Sequence, residues 1–433
     1  MLKKSVMSHK NLFSGIFKFC PFLFLILLTA MQGISAGQIK NKYESIDNYA
    51  LNASATATKS VKSLASYLTA TAKNDTEKAR AIYRWITENI SYDVPMLLKG
   101  TPIWMSADQV LKKRISVCQG YAILFEELGK NAGLEVMTIP GFAKGYSYIP
   151  GGNDNESNHA WNAVKIDGEW ELVDATWGAG YIDESGKYTR RLENHYFMTE
   201  PEELIYTHLP EDKKWQLMRN PISKSNFLML AGLKPSFFKY GLKIVSHRES
   251  IITTGKFVNV ELQTPDDVSI IGSILKNDVE LEKTMVFSQF RNGKYSINAI
   301  FPERGKYTLR IFAARGRQET YDWVLDYTVV ASAGAGNNAS FPLAYGDFRY
   351  RQAYLHSPME GRLIPGKTYD FGIEVPGAED VVLFLGEKHN RLERAGGSAG
   401  MFSGRIKAGW EEIRIGAKFP GNDMYEILLK YEK

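Results

Sequence analysis

The chain has 433 residues, more than one ordinary hydrophobic core can hold, so its length predicts two to four domains. Hydrophobic residues make up 44% and charged residues 23%, which is the composition of a soluble globular protein. The formal net charge of +5 includes four lysines within residues 1–36, and without that segment it falls by four to +1. Charge therefore gives no argument for a nucleic-acid partner, and we expect none.

Residues 1–36 have the pattern of a signal peptide. Lysines precede the short apolar run "FLFLILLTAM", and small residues follow it up to Ala36, the expected last residue removed. The run is shorter than the ~20 residues that span a bilayer. No later segment is long and apolar enough, so we expect no stable membrane span after signal removal. The predicted location is secreted or periplasmic, and an uncleaved N-terminal anchor is the alternative.

Helices are predicted between the signal segment and Gly133. Asp75 is a predicted N-cap, and a short helix is predicted over 106–112. Ser116 then caps a third helix that begins near Cys118 and ends at Gly133. Signal removal takes away Cys20 and leaves one thiol, which excludes an intramolecular disulfide. An unpaired thiol in an exported protein is either a nucleophile or a buried, inert residue. The position of Cys118 at the positive end of a helix, which stabilises a thiolate, favours the nucleophile.

The hydrophobic period switches towards two after residue 135, which predicts strands. "VMTIPGFA" is predicted to be one strand, and "NHAWNAVKIDGEWELVDATW" forms two strands joined by the turn residues Asp167 and Gly168. Helices followed by strands predict an α+β domain. The loop "NDNESN" lacks the spacing of a calcium loop, so a solvated loop is favoured there. We expect no metal and no cofactor.

The hairpin register brings a histidine and an aspartate together. If Ile166 faces Glu169, His159 faces Thr176, and Asp174 lies two residues earlier on the same face. His159 and Asp174 are then diagonal neighbours about 7–8 Å apart at Cα, within reach of an imidazole and a carboxylate. Together with the thiol they give the order nucleophile, base and orienting acid. The alternative is that Asp174 merely ends the strand.

The chain beyond residue 221 repeats itself. Three pairs of segments match, namely "TGKFVNVELQTPDDVSI" with "PGKTYDFGIEVPGAEDVVL", "LEK" with "LER", and "FPERGKYTLRI" with "FPGNDMYEILL". Two copies of several short strands each predict two β-sandwiches, over 223–331 and 341–433. "ASAGAGNNAS" is predicted to be a small-residue linker between them.

Five segments resemble a known family. "EKARAIYRWITENISYD", "SVCQGYAILFEELGKNAGLE" and "NHAWNAVKIDGEWELVDATWGAG" resemble the transglutaminase-like superfamily. "ENHYFMTEPEELIYTHLPEDKKWQL" and "LKPSFFKYGL" resemble its kyphoscoliosis peptidase branch. The resemblance implies an α+β fold, with a papain-like core over 37–222 followed by two Ig-like β-sandwiches. It implies that Cys118 is the nucleophile, His159 the base and Asp174 the third member of the triad.

An oxyanion hole in such a site would use the backbone N–H of Cys118 and one further donor. Trp104 is a candidate for that donor because transglutaminases use an upstream tryptophan. Trp161 is a candidate wall of the cleft, although it clusters with Trp170 and Trp177, and core packing is the better interpretation for these three.

The two remaining histidine candidates contribute less to the assignment of function. His195 and His208 lie in the segments "HYF" and "YTHLP", where structural hydrogen bonding is favoured over catalysis. The expected function is an exported cysteine-dependent acyl-transfer enzyme, a peptidase or transglutaminase-like, that acts on protein or peptide amides, with hydrolysis favoured over cross-linking. The alternative is a non-catalytic scaffold whose β-sandwiches bind an envelope or matrix protein, because the branch includes members with a degraded triad.

Overall fold

The computed structural model describes residues 42–100, 104–146, 148, 156–183, 185–395 and 400–432. The predicted signal segment and the first half of the "NDNESN" loop lie outside these residues. Across the described ranges, no helix combines the length and apolar character needed to cross a bilayer. All elements named below belong to Tyr43–Lys433.

The first domain combines helices with a five-stranded antiparallel sheet. Its helices are α1 (Glu44–Leu51), α2 (Val61–Thr69), α3 (Asp75–Asn89), α4 (Val94–Lys99), α5 (Ala107–Lys113), α6 (Cys118–Asn131), α7 (Ala175–Ala179) and α8 (Pro201–Leu204). Its strands are β1 (Ser91–Tyr92), β2 (Ile115–Ser116), β3 (Val136–Ala143), β4 (His159–Ile166), β5 (Glu169–Val173), β6 (Gly180–Ile182), β7 (Tyr188–Arg190), β8 (Phe197–Thr199) and β9 (His208–Pro210). Strands of the main sheet follow the order β8-β5-β4-β3-β9.

Both faces of this sheet are covered, which explains why β4 is buried along nearly its whole length. One face packs on α2, α3 and α6 through a core that includes Leu64, Ile82 and Phe125. The other face carries a smaller aromatic cluster built around Trp161 and Tyr196. The active-site candidates therefore lie at the end of a sheet that is fixed from both sides.

A buried ion pair ties α1 to α3. The Arg80 guanidinium donates to both carboxylate oxygens of Asp47, at 2.6 and 2.7 Å, and to Asn194 Oδ1 at 2.8 Å. Its side chain is 1% exposed and also lies over the rings of Tyr43 and Phe197. A buried arginine of this kind depends on its counter-charge.

We expect Asp47→Ala to lower the free energy of unfolding by about 3–5 kcal/mol, because Arg80 stays buried without that carboxylate. The matched control is Asp75→Ala, which removes the 43%-exposed partner of Lys78 and should cost less than about 1 kcal/mol. Urea unfolding of both variants measures the two values. Equal losses would contradict this account of the buried pair.

The rest of the chain forms two β-sandwiches. The first contains α9 (Lys224–Met229), β10 (Gly232–Leu233), α10 (Pro235–Lys239), β11 (Lys243–Ile244), β12 (Ile251–Thr254), β13 (Phe257–Gln263), β14 (Val268–Lys276), β15 (Val279–Glu280), β16 (Val286–Arg291), β17 (Lys294–Ile300), β18 (Gly305–Arg315) and β19 (Asp322–Ala331). The second contains β20 (Leu343–Ala344), α11 (Gly346–Tyr350), β21 (Tyr354–Ser357), β22 (Thr368–Glu374), β23 (Asp380–Leu385), β24 (Lys388–Arg391), β25 (Glu393–Arg394), β26 (Met401–Lys407), β27 (Ile413–Lys418) and β28 (Glu426–Tyr431). The two predicted sandwiches are present.

Their strand orders match and expose one error in the predicted repeat. One sheet runs β10-β19-β18-β14-β15, with β12 also on β19, and its counterpart runs β20-β28-β27-β23-β24. The second sheet of the first sandwich runs β11-β13-β17-β16, and the second sheet of the other sandwich runs β21-β22-β26-β25. Leu281 N donates to Ile274 O and Leu392 N donates to Val381 O, both at 2.8 Å, which confirms the "LEK" and "LER" match. The match of "FPERGKYTLRI" with "FPGNDMYEILL" is wrong by one strand. It aligns β18 with β28, whereas the strand orders make β27 the counterpart of β18.

The predicted small-residue linker between the sandwiches is held against the first of them by backbone hydrogen bonds. Ala335 N donates to Phe301 O, and Gly336 N donates to Pro302 O, both at 2.9 Å. Phe287 of β16 belongs to the core of the second sandwich, with its ring 6.0 Å from that of Phe341. Shared core packing of this kind fixes one sandwich on the other.

Candidate active site

Cys118 is the first residue of α6, and as a residue it is partly exposed. The predicted N-cap at Ser116 is wrong, because Ser116 is buried in β2 opposite Tyr92 and the cap position is Val117. Val117 provides no side-chain cap. No capping side chain therefore satisfies the first-turn N–H groups of α6, and Cys118 lies at the positive end of the helix dipole.

The hairpin places His159 and Asp174 in contact, as its register predicted. Ile166 faces Glu169, which confirms the turn. Nε2 of His159 lies 2.7 Å from Oδ2 of Asp174, and both side chains are buried. The Cys118 thiol also hydrogen-bonds to the imidazole of His159. Because Nε2 is bound to Asp174, Nδ1 is the nitrogen that faces the thiol.

The route to that contact differs from the prediction. β5 ends at Val173, so the expected pairing of His159 with Thr176 does not form. Asp174 instead caps α7, and its Oδ1 accepts hydrogen bonds from the N–H groups of Thr176, at 2.7 Å, and Trp177, at 3.0 Å. The carboxylate is therefore anchored by backbone before it reaches the imidazole.

The early end of β5 also frees a backbone donor for the sulfur. Alternate residues of a strand direct their N–H groups to opposite neighbours, and the hairpin register would pair Ala160 with Ala175. Ala175 already belongs to α7, so the Ala160 N–H has no partner in the ladder. It donates to the Cys118 sulfur instead, which favours the thiolate.

Electrostatics in the site favour a thiolate and an imidazolium. Burial acts to lower the pKa of His159, but the charge and hydrogen bond of Asp174, together with Cys118, raise it to about 10. Burial acts to raise the pKa of Cys118, but the hydrogen bond and charge of His159 outweigh it, so that this pKa is lowered. Burial opposes the charge of Asp174 as well, yet both histidines that contact it hold its pKa well below the usual range.

The sequence predicted structural hydrogen bonding for His208 but did not place this second histidine beside Asp174. His208, at the start of β9, places Nε2 at 3.0 Å from the same Oδ2 of Asp174. Strand β9 pairs with β3, which in turn pairs with β4, and this order brings His208 beside His159 with 5.2 Å between ring centroids. The only signal was the position of "YTHLP" in a family-like segment, which does not reveal a contact.

The two tryptophan candidates lie in different surroundings. Trp161 is 1% exposed and belongs to the aromatic core, with its ring stacked 5.9 Å from that of His159. It supports the histidine from within and does not form an open wall. Trp104 is 74% exposed, and among the described residues it makes no hydrogen bond or ring contact with the triad. Its role as an oxyanion donor stays a prediction that no contact supports.

His159, Asp174 and His208 are also the residue types of a metal site, with ligand atoms within 4.8 Å of one another. Tetrahedral zinc with bonds of 2.0–2.1 Å would separate its ligand atoms by about 3.3 Å. The two nitrogen–oxygen distances, 2.7 and 3.0 Å, are shorter and suit hydrogen bonds. The cluster as found is better described as two imidazoles that share one carboxylate oxygen.

Two family models and several curated relatives match parts of this chain. A model described as "Transglutaminase-like superfamily" matches residues 62–175, and one described as "KY-like, immunoglobulin-like domain" matches residues 224–342. Human kyphoscoliosis peptidase is 34% identical over 293 residues, which cover 66% of this chain and 43% of the relative. Cytokinesis protein 3 of Saccharomyces cerevisiae is 27% identical over 245 residues, covering 54% and 27%. The structure of red sea bream transglutaminase has 10% identity and a TM-score of 0.22, covering 91% of this chain and 74% of that one.

The chain spans less than half the length of these two relatives. The order of the two family matches along this chain agrees with the fold, because the transglutaminase-like match contains all three triad candidates and the immunoglobulin-like match coincides with the first sandwich. The chain therefore contains a transglutaminase-like domain followed by a KY-like immunoglobulin-like domain, and it is similar to kyphoscoliosis peptidases at 34% identity.

Proposed function

We propose that this chain is a cysteine-dependent acyl-transfer enzyme that acts on protein or peptide amides through Cys118, His159 and Asp174. One observation carries the proposal. The thiol of Cys118, a partly exposed residue at a helix N-terminus, hydrogen-bonds to an imidazole whose other nitrogen is held by a buried, ionised carboxylate. A purely structural cysteine has no need of such an arrangement.

In the first half-reaction the Cys118 thiolate attacks the amide carbonyl carbon and forms a tetrahedral oxyanion. The free N–H of Cys118 at the start of α6 is suited to stabilise that charge. His159 then gives its Nδ1 proton to the departing nitrogen, so that the carbon–nitrogen bond breaks and a thioester and an amine or ammonia are formed.

In the second half-reaction neutral His159 takes a proton from the acceptor, which attacks the thioester. The thiolate leaves, and the thiolate–imidazolium pair is restored. Water as the acceptor gives hydrolysis, either proteolysis or deamidation, whereas a lysine amine gives a cross-link. The triad serves both outcomes equally, and the name of the human relative favours hydrolysis as the proposal.

Export to the periplasm or the medium is part of the proposal. It is supported by the lysines, the short apolar run and the small residues of the first 36 positions. A substrate would then be an extracellular or envelope protein. The two sandwiches, fixed on each other through Phe287 and Phe341, would present that protein or attach the enzyme near it.

A second candidate function is a scaffold that does not use the thiol. The tight packing of two sandwiches favours it, as does similarity to a relative named for cytokinesis rather than for an enzymatic activity. Sandwich domains commonly bind other proteins, although the fold alone identifies no partner. In this case loss of Cys118 would leave binding unchanged.

A product assay separates these functions. The protein is incubated with casein, with and without a fluorescent primary amine, and ammonia, new N-termini and amine incorporation are measured. We expect at least one product from the wild type, with a loss of at least about 10³-fold in Cys118→Ala, because the nucleophile is removed. Products that persist in Cys118→Ala would contradict the proposed nucleophile. Casein binding that is the same in both proteins, with no product from either, would favour the scaffold.

A further inference from the structure

His208 has an environment that distinguishes it from an ordinary buried histidine. Its side chain is fully buried, and each ring nitrogen has one partner. Nε2 lies 3.0 Å from Asp174 Oδ2, and Nδ1 lies 2.8 Å from the Thr207 hydroxyl. The rings of Trp161, Trp177 and Tyr196 surround it at 5.1, 4.5 and 6.1 Å between centroids and keep water away from the bond to Asp174.

The partners define which nitrogen carries the proton. An ionised carboxylate only accepts, so Nε2 of His208 is the donor to Asp174. Burial lowers the pKa of His208 and favours the neutral imidazole, whose single proton is then on Nε2. Nδ1 is left as an acceptor for the Thr207 hydroxyl, which lies 2.8 Å from it and 3.2 Å from Leu204 O.

His208 completes the set of donors around Asp174. Two backbone N–H groups bind Oδ1, whereas His159 and His208 together bind Oδ2. With four donors the carboxylate has neither a free lone-pair direction nor freedom to rotate about its terminal bond. Without His208, Oδ2 is held only by the catalytic imidazole that it is meant to orient.

We propose that His208 is a positioning residue of this site, a neutral imidazole that locks the Asp174 carboxylate so that Asp174 holds His159 towards Cys118. His208 itself touches neither the sulfur nor the substrate. This inference rests on the proposed triad, and it assigns a role to strand β9, which follows the transglutaminase-like match in the chain.

A matched pair of amides tests the role of the Nε2 donor. In His208→Gln the side-chain amide nitrogen reaches about as far as Nε2 and can still donate to Asp174. In His208→Asn it reaches only as far as Nδ1 and cannot. The two variants have similar polarity, so a purely structural role predicts similar losses in both. His195→Gln is the control, because His195 is a neighbouring, partly buried histidine that stacks on Phe238 and makes no hydrogen bond to the triad.

The readouts are the pH profile of Cys118 alkylation and turnover of an amide substrate, with circular dichroism to confirm folding. We expect His208→Asn to reduce turnover and neutral-pH alkylation by about 10- to 100-fold, the effect of losing a hydrogen bond to a charged group. His208→Gln and His195→Gln should stay within about threefold of the wild type. The alkylation midpoint of His208→Asn should move upwards.

Failure of this inference and failure of the proposed function give different results. If the wild-type thiol titrates at its ordinary value, the proposed function fails whatever the variants do. If the wild type has a lowered midpoint and His208→Asn retains both that midpoint and its turnover, only the role of His208 is overturned. Equal losses in folded His208→Gln and His208→Asn would also overturn it, since ring shape rather than the Nε2 donor would then matter.

Discussion

Replacing His159 by alanine is expected to move the pH midpoint of Cys118 alkylation above the ordinary thiol value of about 8.5. Two of the interactions that lower the thiol pKa come from His159, namely the hydrogen bond of its imidazole and the charge of that imidazole. Burial, the largest cause, and the Asp174 charge remain and raise the pKa, and burial outweighs the one hydrogen bond that still lowers it, from the Ala160 N–H. The midpoint should therefore pass beyond the ordinary value and not stop at it. Turnover should fall by about 10²- to 10⁴-fold with the loss of the base.

The control for this variant is His389→Ala, which removes an exposed histidine of β24 in the second sandwich. It should leave both the midpoint and turnover unchanged. A midpoint in His159→Ala that stays at the wild-type value would contradict the account, because the helix N-terminus alone would then explain any shift. Alkylation is followed on the peptide that contains Cys118, so that Cys20 does not contribute.

Replacing Asp174 by asparagine should be nearly as damaging, for a different reason. The backbone N–H groups of Thr176 and Trp177 need an acceptor, so the asparagine oxygen takes the place of Oδ1 and its NH₂ group faces both histidines. His159 must then accept at Nε2 and carry its proton on Nδ1. This is the wrong tautomer for a base that faces the thiol, and we expect turnover to fall by about 10³- to 10⁴-fold.

The pH dependence identifies the cause of that loss. Asp174 is the main group that raises the pKa of His159 to about 10, whereas burial lowers it. Without the carboxylate, Cys118 is the one group cited here that still raises this pKa against burial, so the imidazolium should lose its proton at a lower pH. The alkaline limit of the thiolate–imidazolium pair should thus move down from near pH 10. Asp212→Asn, at an exposed aspartate that caps a short helix, is the control and should leave the profile unchanged.

The sequence predicted the parts of the site that depend on local pattern. Strand β3 covers the same eight residues as the predicted "VMTIPGFA" segment. The Asp167-Gly168 turn set the register of β4 and β5, and from it the contact between His159 and Asp174 was derived. A two-residue turn leaves little freedom, so one correct turn determines every pair along the hairpin.

Features that depend on distant parts of the chain could not be derived in this way. β5 ends at Val173 because Asp174 caps α7, and the alternation of apolar residues gave no sign of that helix. His208 reaches the site only because β9 pairs with β3, a pairing between segments that lie more than 60 residues apart. The last match of the repeat aligns β18 with β28 and not with β27. Both β18 and β28 are apolar strands that follow a Phe-Pro pair, and neighbouring strands of one sheet have similar patterns.

The most direct test of the central claim compares Cys118 in the native and unfolded states of the same protein. The rate of its alkylation by iodoacetamide is measured against pH, with and without concentrated urea, and is followed by mass spectrometry of the peptide that contains it. The account predicts a midpoint near 8.5 in urea and a clearly lower midpoint in the native protein, where His159 and Ala160 stabilise the thiolate. A native midpoint equal to or above the value in urea would contradict the assignment of Cys118 as a nucleophile.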